Sequence, residues 1–228
     1  MPDAVMLFAA GLGTRMGALT ATRPKPLIEV AGQTLLDHAL DVADEAGVGT
    51  RVVNTHYLAG QIADALAGRH GISVSREVPD LLDTGGGLRQ ALPLLAESPV
   101  FTLNSDAVWT GPNPLTTLAA AWDGGRMDAL LLLVPRERAR GRLGPGDFST
   151  DGEGRLQRTG PLVYTGAQIL RTEGVARHPP GPFSLNEIWD EIGAAGKLFG
   201  TVHPGGWCDV GHPGGIAEAE AMLAGAGA

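Results

Sequence analysis

The stretch VMLFAAGLGTRMGALTATRPKPLIEV, residues 5–30, decides the fold class. AVMLFA, at 4–9, is short and wholly apolar, the pattern of a strand buried on both faces of a parallel sheet. It runs straight into Gly11 and Gly13. A dinucleotide-binding loop needs a third glycine where this chain has Met16, and it must open directly into a helix whose N-terminus faces the pyrophosphate. Pro24 and Pro26 forbid such a continuing helix. A P-loop needs Lys-Ser/Thr after its last glycine, and no lysine follows either glycine here. What remains is a long irregular loop at the carboxyl end of a buried strand, the place where open α/β sheets bind ligands. Glycines at 11 and 13 let backbone N–H groups approach phosphate or ribose, Arg15 offers a fork of donors, and Lys25 offers a point charge. The chain has 15 Arg and only two Lys, Lys25 and Lys197. A lysine set between two prolines therefore marks a specific geometry.

Outward from this loop, helical and strand-like segments alternate. TLLDHALDVADEA (34–46) has apolar residues at helical spacing, with Thr34 as N-cap and Gly47 as stop. RVVN (51–54), ISVS (72–75), VFTLN (100–104) and DALLLLV (128–134) read as strands. Between them, 58–67, 87–95 and 114–122 read as helices. Residues 135–182 lose the pattern, with short strands near Phe148 and at 162–164, and read as a lid or sugar-binding insertion over the sheet's edge. A helix at 184–196, a strand at 197–203, WCDVG (207–211) and a helix over 213–224 follow. The expected fold is α/β, a Rossmann-like mixed, mostly parallel sheet with helices on both faces, in a single domain spanning 1–228.

Composition narrows the partners. A hydrophobic fraction of 43% indicates a folded globular chain, and no apolar run is long enough for a membrane span. A net charge of −8 without a basic run argues against nucleic acid, which requires clustered Lys and Arg. Cys208 is the only cysteine, so no intramolecular disulfide forms and a reducing cytoplasmic setting is expected. The glycines follow no fixed period, which excludes collagen-like repeats. Asp106 follows the strand VFTLN, and Asp209 lies at a second transition from apolar residues to glycine. Mg²⁺ prefers one or two carboxylates plus phosphates and water, so this pair suits it, although an aspartate after a strand can equally cap a turn.

AAGLGTRM, followed by RPKPLIEVAGQTLLDHAL, resembles the signature of sugar-phosphate nucleotidyltransferases, G-x-G-x-R with a later Lys-Pro. LLDTGGGLRQAL (81–92), FTLNSDAVW (101–109) and GGWCDVGHPGGIAEAEAML (205–223) extend the resemblance along nearly the whole chain. The short length, the DTGGG segment and the GPGDF segment are most similar to the family's uridylyltransferases. The resemblance implies attack of a sugar 1-phosphate on the α-phosphorus of a nucleoside triphosphate, UTP being favoured, with Mg²⁺ as cofactor. Thymidylyl, guanylyl or cytidylyl transfer, and a non-catalytic nucleotide-sugar sensor of the same fold, remain alternatives. It assigns Arg15 and Lys25 to the reacting phosphates, and Asp106 and Asp209 to the metal. Ala10, Gly11, Gly13, Thr14, Asp83, Gly85 and Gly86 would contact the nucleotide, although the family more often has Glu at position 83. Asp147, Tyr164, Thr165, Gly166 and Asn186 fall where the family places its sugar pocket. His56 is expected to line the pocket, and His203 and His212 to be solvated or capping groups. Trp109, Trp189 and Trp207 are expected in the core, and the assembly to be a monomer or small homo-oligomer.

Overall fold

Alternate residues of the first strand face opposite sides of a nine-stranded sheet, and each side carries its own core. The computed structural model describes residues 1–226. The first strand, β1 (Ala4–Phe8), leads into the irregular loop, with 3-10 turns at Thr14–Thr20 and Lys25–Leu27, and a small hairpin of β2 (Glu29–Val30) and β3 (Gln33–Thr34). Next come α1 (Leu35–Glu45), β4 (Thr50–Thr55), α2 (Ala59–Leu66), β5 (Ile72–Arg76), α3 (Asp83–Leu95), β6 (Val100–Asn104), β7 (Ala107–Thr110) and α4 (Pro114–Ala121). The rest comprises β8 (Ala129–Pro135), β9 (Ala139–Arg140), β10 (Phe148–Thr150), β11 (Leu156–Arg158), β12 (Leu162–Leu170), α5 (Glu173–Arg177), α6 (Leu185–Ala194), β13 (Leu198–Val202), β14 (Gly206–Asp209) and α7 (Pro213–Ala226).

β1 pairs in parallel with β4 on one side and β6 on the other, and β5 joins β4 in parallel. β12 runs antiparallel between β6 and β8, and β13 pairs in parallel with β8. The chain thus leaves β1 toward β4 and later returns to its other flank at β6. That reversal opens a crevice at the carboxyl ends of β1 and β6, the usual ligand position in such sheets. Val5 and Leu7 face a core with α1, α2 and α4, while Ala4 and Met6 face one with α3 and α6. The helices start where the sequence signals them. Thr34 accepts from the Asp37 N–H (3.1 Å), and Ser184 and Glu187 form a reciprocal capping box before α6. Among the described residues no helix is long and apolar enough to cross a membrane.

Two expectations need correction. Residues 162–170, expected within a lid or insertion over the sheet's edge and as a strand only at 162–164, form the nine-residue β12 in the sheet's interior. β12 is buried along most of its length, but it buries Thr165 and Gln168, and its bulge around Thr165 and Gly166 breaks the alternation that marks a strand. The helix expected at 87–95 begins at Asp83 and includes the three glycines in its first turns.

Those glycines admit a buried polar network. Glu77 is fully buried, and its Oε1 accepts from Asn54 Nδ2 (2.7 Å) while its Oε2 accepts from the Leu82 N–H (2.8 Å). Asn54 Oδ1 in turn accepts from the Ala9 N–H (2.7 Å), at the start of the decisive loop. A Cβ on Gly87 would lie 2.6 Å from Glu77 Oε1. This chain of bonds ties the end of β1 to β4, to the turn after β5 and to α3. Glu77→Gln keeps the shape but presents an NH₂ where an acceptor is needed, so it should lower the unfolding free energy by about 1–3 kcal/mol in urea titrations. An unchanged midpoint would contradict this account of the network.

Candidate active site

Lys25 reaches the crevice because of the backbone beneath it. Gly13 has φ +65°, and a Cβ there would lie 2.9 Å from Thr20 Cγ2 and 3.0 Å from Lys25 Cβ. Thr20 Oγ1 donates to the Gly13 carbonyl (3.0 Å), and the Tyr57 hydroxyl donates to the Thr20 carbonyl (2.9 Å), closing the loop on itself. The lysine stem is buried, and Nζ donates to Asp106 Oδ2 at 2.7 Å. Thr14 and Arg15 stand exposed on the same loop. Gly13 therefore shapes the loop, and it does not line a cavity with Ala10 and Gly11.

The two aspartates meet through a small second sheet. β14 pairs antiparallel with β7, placing Asp209 opposite Ala107, and the Val210 N–H donates to the Asp106 carbonyl (2.8 Å). Burial pushes the Asp209 carboxyl up to about 6, and the negative charge of Asp106 pushes in the same direction; Lys25, Arg15 and Arg142 pull it partly back. Gly211 lies against this carboxylate, and a Cβ there would sit 2.9 Å from Oδ2. Among the described residues no third His, Cys, Asp or Glu joins the pair in a metal-holding cluster. Two crowded carboxylates without further protein ligands fit Mg²⁺, whose remaining positions are filled by phosphates and water, and do not fit a closed all-protein metal cage.

Two adjoining cavities open from this cluster. The first lies at the ends of β1 and β6 and is lined by Ala9, Ala10, Gly11, Lys25, Asn54 and Asp106. No atom lies within 4 Å of a Cβ placed on Gly11, so the space above it is open. The second is lined by Arg15, Arg142, Asp147, Arg158, Tyr164, Asn186 and Trp189. Phe8, Asp83, Thr84 and Asn104 line both.

Asp147 is central to the second cavity's wall: Oδ1 accepts from Arg142 Nη2 (2.8 Å) and Oδ2 from the Tyr164 N–H (2.9 Å). The Tyr164 ring meets Trp189 edge-on at 4.8 Å, and burial pushes its hydroxyl above the usual range. The Trp189 Nε1–H donates to Gln168 Oε1 at 2.8 Å.

Several expected contacts have other positions. The Gly85 and Gly86 N–H groups donate to the Phe183 carbonyl (2.9 and 3.1 Å), and both residues are buried. A Cβ on Gly85 would lie 2.3 Å from the Phe183 ring, and one on Gly86 2.3 Å from the Gly181 carbonyl. These glycines admit the 181–183 loop and offer no free N–H to a nucleoside; Asp83 does line the cavities. Thr165 is buried with its hydroxyl donating to the Leu132 carbonyl (2.7 Å). Gly166, at φ +88°, leaves the space that Asn104 fills. Both belong to a bulge in β12, and neither lines the second cavity.

His56 faces the Glu77 carbonyl (3.1 Å), outside both cavities. His203, expected to be solvated or capping, is fully buried with its ring edge-on to Trp109. Trp207 and Trp189 are buried, while Trp109 is partly exposed. Sequence reasoning passed over Asn54, Asn104, Arg142 and Arg158. The one available signal was the density of arginine between two short strands. The buried Cys208 thiol is pushed up to about 12 by burial, which leaves it unreactive.

A lysine, two facing carboxylates and exposed arginine at the switch point of an α/β sheet define a protein that handles nucleotides and phosphates. Residues 5–210 match the MobA-like NTP transferase domain, and the chain belongs to that family. It is 43% identical to an N-acetylmuramate alpha-1-phosphate uridylyltransferase of Caulobacter vibrioides, over 98% of each chain. It is 34% identical to one of Neisseria meningitidis, over 95% of this chain and 96% of the relative. The crystal structure of a UDP-glucose pyrophosphorylase complexed with UDP-glucose shares the fold, with a TM-score of 0.80 at 17% identity over 99% of both chains.

The strained carboxylate pair has a measurable consequence. The Asp209 carboxyl titrates near 6 in the fold against an ordinary 3.8. Its ionisation thus costs native stability as pH rises from about 4 through 6. Asp209→Asn should stabilise the ligand-free protein at pH 8 by roughly 1–3 kcal/mol, a gain that fades as pH falls toward 4. Urea unfolding of both proteins at the two pH values checks this; equal stability at pH 8 would mean that the pair carries no strain.

Proposed function

We propose that this chain transfers a uridylyl group from UTP to N-acetylmuramate 1-phosphate, giving UDP-N-acetylmuramate and pyrophosphate, with Mg²⁺ as its metal. The observation that carries the substrate assignment is the 43% identity with the Caulobacter vibrioides uridylyltransferase over 98% of both chains. The reaction class, sugar-1-phosphate nucleotidyl transfer, fits a site with concentrated charge and no nucleophile poised by a base. An oxygen of the sugar 1-phosphate attacks the α-phosphorus of UTP, the new P–O bond forms, and the bond to the β-phosphate bridge breaks with its electrons leaving on pyrophosphate. No covalent enzyme intermediate is needed. Alignment and charge compensation carry the rate.

In this reading the triphosphate lies over the 10–15 loop, with Arg15 and Lys25 on its phosphates. The uridine occupies the first cavity near Ala10, Gly11 and Asp83, and the sugar occupies the second beside Asp147, Tyr164 and Asn186. Asp106 and Asp209 would hold Mg²⁺, which when bound neutralises phosphate charge and offsets their mutual repulsion. Lys25, now on Asp106, is then free to turn its ammonium toward the phosphates. Two polyanions can thus approach each other on a protein of net charge −8.

Pyrophosphate release should be fastest with UTP and N-acetylmuramate 1-phosphate in a panel of nucleoside triphosphates and sugar 1-phosphates. Preference for another base or sugar would redirect the assignment. Chelation should abolish turnover and added Mg²⁺ should restore it. Asp106→Asn should reduce kcat by about 10³-fold or more while the urea midpoint stays close to that of the parent protein. Near-normal turnover by this variant would remove Asp106 from the metal site.

A further inference from the structure

The functional reading makes a demand on the sugar pocket that its phosphate-facing charges do not meet. N-acetylmuramate is N-acetylglucosamine carrying a lactyl ether, whose carboxylate is ionised at neutral pH. Its 1-phosphate is therefore anionic at two separate places, and a pocket that selects it needs cations at both.

The second cavity has three cationic side chains among its lining residues, Arg15, Arg142 and Arg158. Arg15 lies on the glycine loop, and Arg142 follows Gly141, which packs against the Asp209 backbone, so both stand at the end where the aspartates lie. Arg142 is also committed to Asp147 at 2.8 Å. Arg158 stands away from them, on the wall built by β11 and α6. Its guanidinium lies 5.1 Å from the Phe148 ring centroid and 5.5 Å from that of Trp189, so two aromatic faces hold it in place. Nη1 donates to Asn186 Oδ1 (3.0 Å), and Nε and Nη2 both donate to Asp190 Oδ1 (2.9 and 2.7 Å).

This partner is replaceable. The Asp190 side chain is 65% exposed, and an ion pair so open to water contributes only about 0–1 kcal/mol. A carboxylate presented from within the cavity, beside the aromatic rings, suits the fork of an arginine and can take the place of Asp190. We propose that Arg158 binds the lactyl carboxylate and is the residue by which the pocket selects N-acetylmuramate 1-phosphate over N-acetylglucosamine 1-phosphate. The inference rests on the functional reading above.

The test is steady-state kinetics of the full chain with UTP and each sugar 1-phosphate. Arg158→Met should raise the KM for N-acetylmuramate 1-phosphate about 10²-fold and abolish the preference over N-acetylglucosamine 1-phosphate, while the KM for UTP stays within about twofold. Arg158→Lys should recover part of the loss, and Asp190→Asn, which removes only the internal counter-ion, should keep the preference. A preference that survives Arg158→Met overturns this inference alone, as does an equal rise in the KM for UTP. A parent protein that does not turn over N-acetylmuramate 1-phosphate overturns the functional reading and this inference together.

Discussion

Two carboxylates that repel each other, Asp106 and Asp209, are held side by side by the backbone, and the organisation of the crevice follows from that. The β7–β14 ladder and the bond from the Val210 N–H to the Asp106 carbonyl set their spacing without any help from the side chains. Their repulsion, added to burial, raises the Asp209 carboxyl, and the surrounding cations answer it. Lys25 donates to Asp106, while Arg15 and Arg142 act from the loop above and from the wall of the second cavity. A site strained in this way favours a divalent cation or a rearranged lysine, and substrate phosphates permit both.

The cluster needs a firm frame, and the frame is a second set of polar contacts below it. Glu77, Asn54 and the Ala9 N–H link three strand ends and α3 beneath the first cavity. The glycines of α3 serve this frame: Gly87 leaves room for Glu77, and Gly85 and Gly86 let Phe183 cap the helix. The Gly85 and Gly86 N–H groups, bound to the Phe183 carbonyl, are not offered to an anion at this helix end. Its glycines bring α3 and the 181–183 loop together, and those segments flank the two cavities. A motif that resembles a ligand-binding loop thus acts one layer below the ligand.

The alternation of strands and helices was legible because the buried strands are continuous apolar runs and the helices carry caps such as Thr34 and Ser184. The pairing of Asp106 with Asp209 came from the family resemblance, helped by the hydrophobic-to-irregular transition at each, whereas nothing local announced that Lys25 would donate to Asp106. β12 was not, because its first half is a bulged segment with Thr165 and Gly166, which broke the period-two pattern. The Glu77 network joins Asn54 and Glu77, which are 23 positions apart, and no local pattern encodes such a pairing. The arginines of the sugar side were invisible for a similar reason. Their sequence neighbourhood lacks periodicity, and only the tertiary fold shows which ones face inward.

The scarcity of lysine now has a physical explanation. Arginine serves this chain as a staple for irregular backbone: Arg138 donates to the carbonyls of Pro204 and Gly205, and Arg171 to that of Gly124. Arg136 donates to the carbonyls of Arg142 and Gly144, which fixes the loop that carries Arg142 into the crevice. A planar fork bound to several carbonyls is rigid, and rigidity is what such loops require. At Lys25 the requirement is the opposite. In the proposed reaction the Lys25 ammonium, which rests on Asp106, would turn toward phosphate, and a compact ammonium on a flexible stem can do so by turning a few bonds.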